Sequence, residues 1–141
     1  MFDNSRIDIY DYLYNLFEAV TPNVYLMSEP TELTESDTKD GFMVIRLGNF
    51  NDEGEFGLQA YGWVRVFVEA YIPPMSRGRL DDDKYKQFEN SINTVISSAT
   101  ESSDENYYIQ EDSLISYDDK EDTMIDNQFY VFIKSFIVVV D

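Results

Sequence analysis

The sequence predicts an α+β fold, in which a mainly antiparallel sheet has two helices packed on one face. Two segments repeat apolar residues at helical spacing, and several others are rich in the β-branched and aromatic residues typical of strands. The chain is 43 % hydrophobic and 16 % aromatic, which favours a packed core in spite of a net charge of −18. With 141 residues it fits one domain, spanning 1–141.

The predicted elements follow the order α-β-β-β-α-β-β. They are a helix over 5–20, strands over 24–27, 42–47 and 58–72, a helix over 82–99, and strands over 107–117 and 129–140. In the first helix, Ile9, Leu13 and Phe17 recur on one face, which we expect to lie on the core. The second and third strands are expected to pair as a hairpin. Segments 28–40 and 118–127 carry many charges without periodicity, so they are predicted as a loop and as a turn or hairpin tip.

Both faces of the final predicted strand are apolar, with Lys134 the only charge between them. An antiparallel sheet covered by helices on one side normally presents polar residues on the other. Either the helices and loops cover both faces, or one face is buried against neighbouring copies of the chain. We favour the second interpretation, because large exposed apolar patches are unusual on monomers. The aromatic residues predicted at this contact are Trp63, Phe67, Tyr71, Tyr130, Phe132 and Phe136.

A short basic segment interrupts the acidic chain just before and within the second helix. Four of the ten cations lie in it, namely Arg77, Arg79, Lys84 and Lys86. One interpretation is a solvated loop whose cations balance the neighbouring run of three aspartates, 81–83. The other is a contact arm that docks on an acidic patch of a neighbouring copy, because arginine pairs well with carboxylates. We therefore include these four cations in the predicted interface.

The composition excludes most catalytic chemistry. With no histidine and no cysteine, the chain lacks the commonest general base, thiolate nucleophiles and thiolate zinc ligands. Its adjacent acids lie mostly in predicted loops, and 118–122 does not follow the calcium-binding pattern of an EF-hand. Arg77-Gly78-Arg79 is not a phosphate-binding P-loop, since the second glycine and the Lys-Ser/Thr pair are missing. We predict a protein that is not an enzyme and has no catalytic, metal or cofactor site.

The charge and the apolar runs indicate which partners to expect. Nucleic acid is normally bound by clusters of lysine and arginine, so a net charge of −18 argues against binding it in the ordinary way. The charge favours a basic protein partner, or a surface that DNA passes without sticking. The longest apolar run, 136–140, is far shorter than the ~20 residues that cross a bilayer. We expect a soluble, cytoplasmic protein with no membrane partner.

Four segments carry a resemblance to a known family. They are DIYDYLYNLF (8–17), GWVRVFVEAYIPP (62–74), KYKQFENSINTVI (84–96) and QFYVFIKSFIVVV (128–140). Their order resembles the tail-terminator and tail-completion proteins of tailed bacteriophages, which include head-tail connectors. The resemblance implies a virion protein, assembled in the host cytoplasm, that forms a ring of six or more copies next to portal, neck or tail proteins. DNA would pass through such a ring as cargo, without specific binding.

Two functional hypotheses remain at this point. The first is the ring-forming structural protein that the resemblance implies. The second is an acidic inhibitor, such as an immunity protein or DNA mimic, which occupies the basic cleft of a nuclease by electrostatic steering. A ring component should associate with itself through its sheet, whereas an inhibitor should act as a monomer or dimer with acids lining one surface.

Overall fold

The computed structural model describes residues 5–28, 30–52, 62–101, 107–110, 113–117, 124–125 and 129–140. The helices are α1 (Ser5–Phe17), α2 (Glu35–Asp40) and α3 (Asp82–Glu101), with a 3-10 turn at Ser76–Gly78. The strands are β1 (Val24–Leu26), β2 (Phe42–Asp52), β3 (Gly62–Ile72), β4 (Tyr107–Ile109), β5 (Ile115–Tyr117), β6 (Met124–Ile125) and β7 (Phe129–Val140). The predicted α+β class is confirmed.

The strands form one mainly antiparallel sheet in the order β1-β2-β3-β7-β4. The predicted hairpin is present as the antiparallel pair β2–β3, and among the described strands only β1 runs parallel to its neighbour. Strand β3 pairs with β7 along its whole length, from Gly62 opposite Val140 to Ile72 opposite Tyr130. On its other edge, β7 pairs with the short strands β4, β5 and β6 in turn. The long strands β3 and β7 therefore hold the sheet together.

The two long helices cover one face of the sheet, as predicted. Their buried residues are Ile9, Tyr10, Leu13 and Phe17 from α1, and Phe88, Ile92, Ile96 and Ala99 from α3. They pack on Met43, Ile45, Val64, Val66, Val68, Ala70, Ile72, Phe132, Phe136 and Val138. Burying a large apolar side chain stabilises a fold by about 1.5–3 kcal/mol, so this layer dominates the stability. We call this side of the sheet the helix face and the other the second face.

Helix α2 lies within 28–40, where the sequence analysis predicts a loop, so that prediction is wrong for Glu35–Asp40. A capping box starts this helix. The Thr34 hydroxyl accepts a hydrogen bond from the Asp37 backbone N–H at 3.0 Å, and the Asp37 carboxylate accepts one from the Thr34 N–H at 2.9 Å. One turn and a half is too short to show apolar periodicity, so capping rather than burial marks it.

The strand predicted over 107–117 is two short strands, and the interruption has a clear cause. Between β4 and β5, the Ser113 hydroxyl accepts a hydrogen bond from the Ile137 backbone N–H at 3.0 Å and donates one to the Gln110 carbonyl at 2.7 Å. The Ser113 side chain thus replaces a backbone carbonyl as an acceptor for β7. The Ile137 N–H keeps a hydrogen bond at the point where the chain leaves the ladder.

Strand β2 continues to Asp52, so the predicted end at residue 47 is wrong, whereas the other predicted boundaries are closer to those in the structure. Helix α1 ends at Phe17 rather than at residue 20. Helix α3 starts as predicted, since Asp81 caps it by accepting a hydrogen bond from the Lys84 N–H at 3.1 Å. Of the turn or hairpin tip predicted over 118–127, Met124 and Ile125 form β6, and the rest lies outside the described residues. The predicted start of the third strand, 58–61, also lies outside them.

Candidate functional site

The register of β3 and β7 divides the six predicted aromatic contact residues between opposite faces of the sheet. Trp63 lies opposite Val139, Phe67 opposite Ser135 and Tyr71 opposite Val131, and all of these point to the second face. Tyr130, Phe132 and Phe136 pair with Ile72, Ala70 and Val66, which belong to the helix-face core. The six residues therefore do not form one surface.

The predicted intermolecular contact is wrong for Phe132 and Phe136, because α1 and α3 already bury them. Phe132 is 2 % exposed and Phe136 is fully buried. The Phe132 ring lies 4.7 Å from the ring of Tyr85, and the Phe136 ring lies 6.0 Å from the ring of Phe17. Both aromatic side chains stabilise the subunit from inside.

Tyr130 is half-buried and connects the sheet to the basic segment. Its hydroxyl donates a hydrogen bond to the Gly78 carbonyl at 2.7 Å. Gly78 closes the 3-10 turn with a φ of +72°, a conformation that side chains disfavour. We infer that Tyr130 holds the turn at Ser76–Gly78 against β7, an internal role that the sequence did not reveal.

An aromatic cluster fills the second face at the end of the sheet nearest α2. Phe42 stacks on Tyr71 with centroids 4.4 Å apart and rings 9° from parallel, and it meets Phe129 edge to face at 5.2 Å. Tyr25 from β1 also meets the Phe42 ring edge to face, at 5.7 Å. Tyr71 is only 2 % exposed, so its predicted role in an intermolecular contact is wrong too. Neighbouring strands of the same chain shield it.

Beside this cluster, an ion pair crosses from β2 to β3. The Arg46 Nε lies 3.0 Å from Glu69 Oε2, and the Tyr71 hydroxyl donates to Glu69 Oε1 at 2.9 Å. The Arg46 guanidinium also donates to the Met27 carbonyl at 2.8 Å. Burial opposes the charge on Arg46, but the hydrogen bond and attraction of Glu69 outweigh it, so the pKa of Arg46 lies above its usual value.

Tyr25 links the second face to α2 through a buried carboxylate. Its hydroxyl donates a hydrogen bond of 2.6 Å to Oδ2 of Asp37, a residue that is fully buried. Burial disfavours the phenolate, and the hydrogen bond and negative charge of Asp37 add to that effect. Together they raise the pKa of Tyr25 from 10.0 to about 12.

The raised pKa of Tyr25 predicts a stability loss in strong alkali. The neutral phenol is favoured in the folded chain, so its contribution is complete below pH 10 and is lost as pH rises towards 12. Subtracting the ultraviolet titration curve of Tyr25→Phe from that of the native protein should leave the ionisation of one tyrosine, centred near pH 12. A difference curve centred near 10 would contradict the Tyr25–Asp37 contact.

The other end of the second face combines apolar side chains with a cation. We define the Arg65 patch as Arg65 with the neighbouring residues Trp63, Phe67, Ile115, Ile137 and Val139. Ile115 is 43 % exposed and the other members are half-buried. The Arg65 guanidinium donates to the Ser135 hydroxyl at 2.8 Å and forms no ion pair with a described residue. Of the six predicted aromatic contact residues, Trp63 and Phe67 are the two that lie in the Arg65 patch.

The cations of the basic segment differ in their exposure. Arg79 and Lys86 are exposed, whereas Lys84 is half-buried, and the side chain of Arg77 lies outside the described part. Lys84 lines a groove of about 340 Å³ between α3 and the end of α1 that Asp40 also lines. Arg79, Lys84 and Lys86 form no ion pair with any described side chain. Asp40, from the acidic segment 28–40, thus lies beside Lys84 in the same chain.

The ion pair of Lys134 could not be predicted from the sequence. This lysine is 3 % exposed on the helix face, and its Nζ lies 2.9 Å from Glu89 Oε2 on α3. Nothing in the local pattern of β7 identifies an acid so far away in the sequence. The charge that interrupts the apolar strand is therefore satisfied inside the subunit.

Among residues that the structure describes, no three acids lie close enough together to hold a metal ion, and no helix is long and apolar enough to span a membrane. No protein-family model and no curated protein matches the sequence.

Proposed function

We propose that this protein is a structural, non-enzymatic virion component that forms a ring at the neck or tail end of a phage. The observation that carries the proposal is the Arg65 patch, where apolar side chains surround a guanidinium on the sheet face that α1 and α3 leave uncovered. A half-exposed apolar surface centred on arginine is typical of protein contacts. The order of helices and strands that suggested the phage family supports the same proposal.

The distribution of carboxylates supports a role next to DNA. The exposed acids on the outer surface of the helix layer are Asp8 and Asp11 on α1, Glu18 directly after α1, and Asp82 and Asp83 on α3. The helix layer faces away from the Arg65 patch, so a ring that contacts its neighbours through the sheet can present these carboxylates to a channel. Carboxylates repel phosphates, which lets DNA slide rather than adhere.

The exposed cations provide a first test of assembly. In Arg79→Glu combined with Lys86→Glu, contacts between these cations and the acids of a neighbouring copy become repulsive. We expect assembly to fall at least tenfold, while the far-ultraviolet circular dichroism and the melting temperature stay near those of the native protein. The matched control is Lys39→Glu with Lys120→Glu, which changes the net charge equally outside the basic segment. Equal effects in both variants would show that only net charge matters.

The direct experiment is solution mass by light scattering over a range of salt and protein concentrations, followed by electron microscopy of large species. Closed rings of six or more copies would support the proposal. A protein that stays monomeric under all these conditions, and that binds and inhibits a basic nuclease in a salt-dependent manner, would overturn it in favour of the acidic inhibitor.

A further inference from the structure

We propose that Arg65 anchors a contact between two copies of this chain by receiving a carboxylate of the second copy. This inference deepens the proposed function and rests on it only for the type of assembly. The contact itself requires no ring, because any pairing through the Arg65 patch would use the same group.

The first argument is the unused hydrogen-bonding capacity of Arg65. A guanidinium offers five N–H donors, and among described residues only the Ser135 hydroxyl accepts from it. Ser135 is fully buried, so the hydrogen bond holds the guanidinium against the sheet between Trp63 and Phe67. Arg46, on the same face, is by contrast paired with Glu69. Arg65 is thus a positioned cation with donors that no other described residue uses, and these donors suit a partner.

The second argument is the apolar surface around the guanidinium. Ile137 lies directly opposite Arg65, and Trp63 lies opposite Val139. The Phe67 ring reaches across to β2, where it would meet a side chain at Gly48 at 3.4 Å. Apolar neighbours exclude water from an arginine–carboxylate pair once a partner covers them, which strengthens the pair. Arginines at the centre of an interface, surrounded by contacts that exclude water, are often among the few residues that supply most of the binding energy.

The third argument is charge complementarity, which identifies the occupant. The chain carries 28 acids and ten cations, so almost any surface of a second copy offers carboxylates. Single-stranded nucleic acid also pairs phosphates with arginine and stacks its bases on aromatic rings. The net charge of −18 opposes that ligand over the whole surface, and one guanidinium does not offset it. The same net charge repels a second copy, but a second copy, unlike a phosphate chain, also brings ten cations that can pair with acids of the first. A second copy is therefore the occupant that the charges favour.

The test measures self-association of the full chain by sedimentation equilibrium. We expect Arg65→Glu to raise the dissociation constant roughly tenfold or more, and Arg65→Gln to raise it by a smaller factor. Arg65→Gln removes the charge without adding repulsion, so it keeps the test valid if the glutamate variant folds poorly. The control is Lys39→Glu, an equal change of charge on the exposed surface of α2, which should leave the constant unchanged.

Three results would overturn the inference: a native protein that is monomeric up to its solubility limit, an Arg65→Gln variant that associates normally, or equal effects of Arg65→Glu and Lys39→Glu. Binding of a single-stranded oligonucleotide that Arg65→Gln abolishes would assign the patch to nucleic acid instead. The outcomes also separate this contact from the proposed function. Dimers that need Arg65 but never close into rings would support the contact and contradict the proposed ring. Rings that the Arg65→Gln variant still forms would support the proposed ring and contradict the contact.

Discussion

Replacing Phe136 with alanine is expected to lower the free energy of unfolding by about 3–5 kcal/mol, enough to remove much of the stability of a domain this size. The side chain is fully buried between the sheet and α1, with its ring 6.0 Å from that of Phe17. Its removal loses apolar burial and leaves a cavity that rigid neighbours cannot close. Urea denaturation should show a lower midpoint with an unchanged slope, since the surface exposed on unfolding is nearly the same.

The control for Phe136 is Ile115→Ala on the second face. Ile115 is 43 % exposed, so its truncation should change the unfolding free energy by no more than about 0.5 kcal/mol. The pair of variants also decides between the two roles considered for Phe136. A residue at an intermolecular contact would change self-association and leave the stability of the monomer nearly intact, and that result would contradict the core position.

The alternation of side chains along a strand could be predicted from the sequence, but the matching of faces between strands could not. Alternation predicts that Trp63 and Phe67 share a face of β3, and that Phe132 and Phe136 share a face of β7, which agrees with the structure. Which group of one strand shares a face with which group of the other depends on register. Here Gly62 pairs with Val140, and a shift of one residue would exchange the faces. Six aromatic residues were consequently assigned to one surface, and only two of them lie in the Arg65 patch.

Short elements and polar pairs between distant residues could not be predicted either, because the local sequence does not show which segments meet in the fold. The capping box of Thr34 and Asp37 was visible in the sequence, yet capping pairs are common by chance without an apolar run behind them. Ser113 replaces a backbone acceptor of β7, which depends on where two separate segments meet. The Arg65 patch, on which the proposals rest, also depends on a contact between distant segments. Arg65 is informative because Ser135, seventy residues away, positions it without neutralising it.

Replacing Glu89 with alanine is expected to lower the free energy of unfolding by about 3 kcal/mol, the smaller end of the range for breaking a buried ion pair. Lys134 has a side chain only 4 % exposed, so its ammonium cannot regain full hydration when the carboxylate 2.9 Å away is removed. Glu89 is 34 % exposed, and water entering from its side keeps the cost below that of a fully buried pair. Chemical denaturation of the native protein and the variant measures the difference.

Replacing the other partner, Lys134→Met, should lower the free energy of unfolding by less than about 1 kcal/mol, because Glu89 has more access to water than Lys134. Methionine fills the buried space next to Phe132 without a charge, and the Glu89 carboxylate left behind can hydrate at the surface. In the double variant with Glu89→Ala and Lys134→Met, most of the loss caused by Glu89→Ala should disappear, since no buried ammonium remains. Equal losses in the two single variants would contradict this account and show that the attraction between the charges, rather than the desolvation of Lys134, determines the stability.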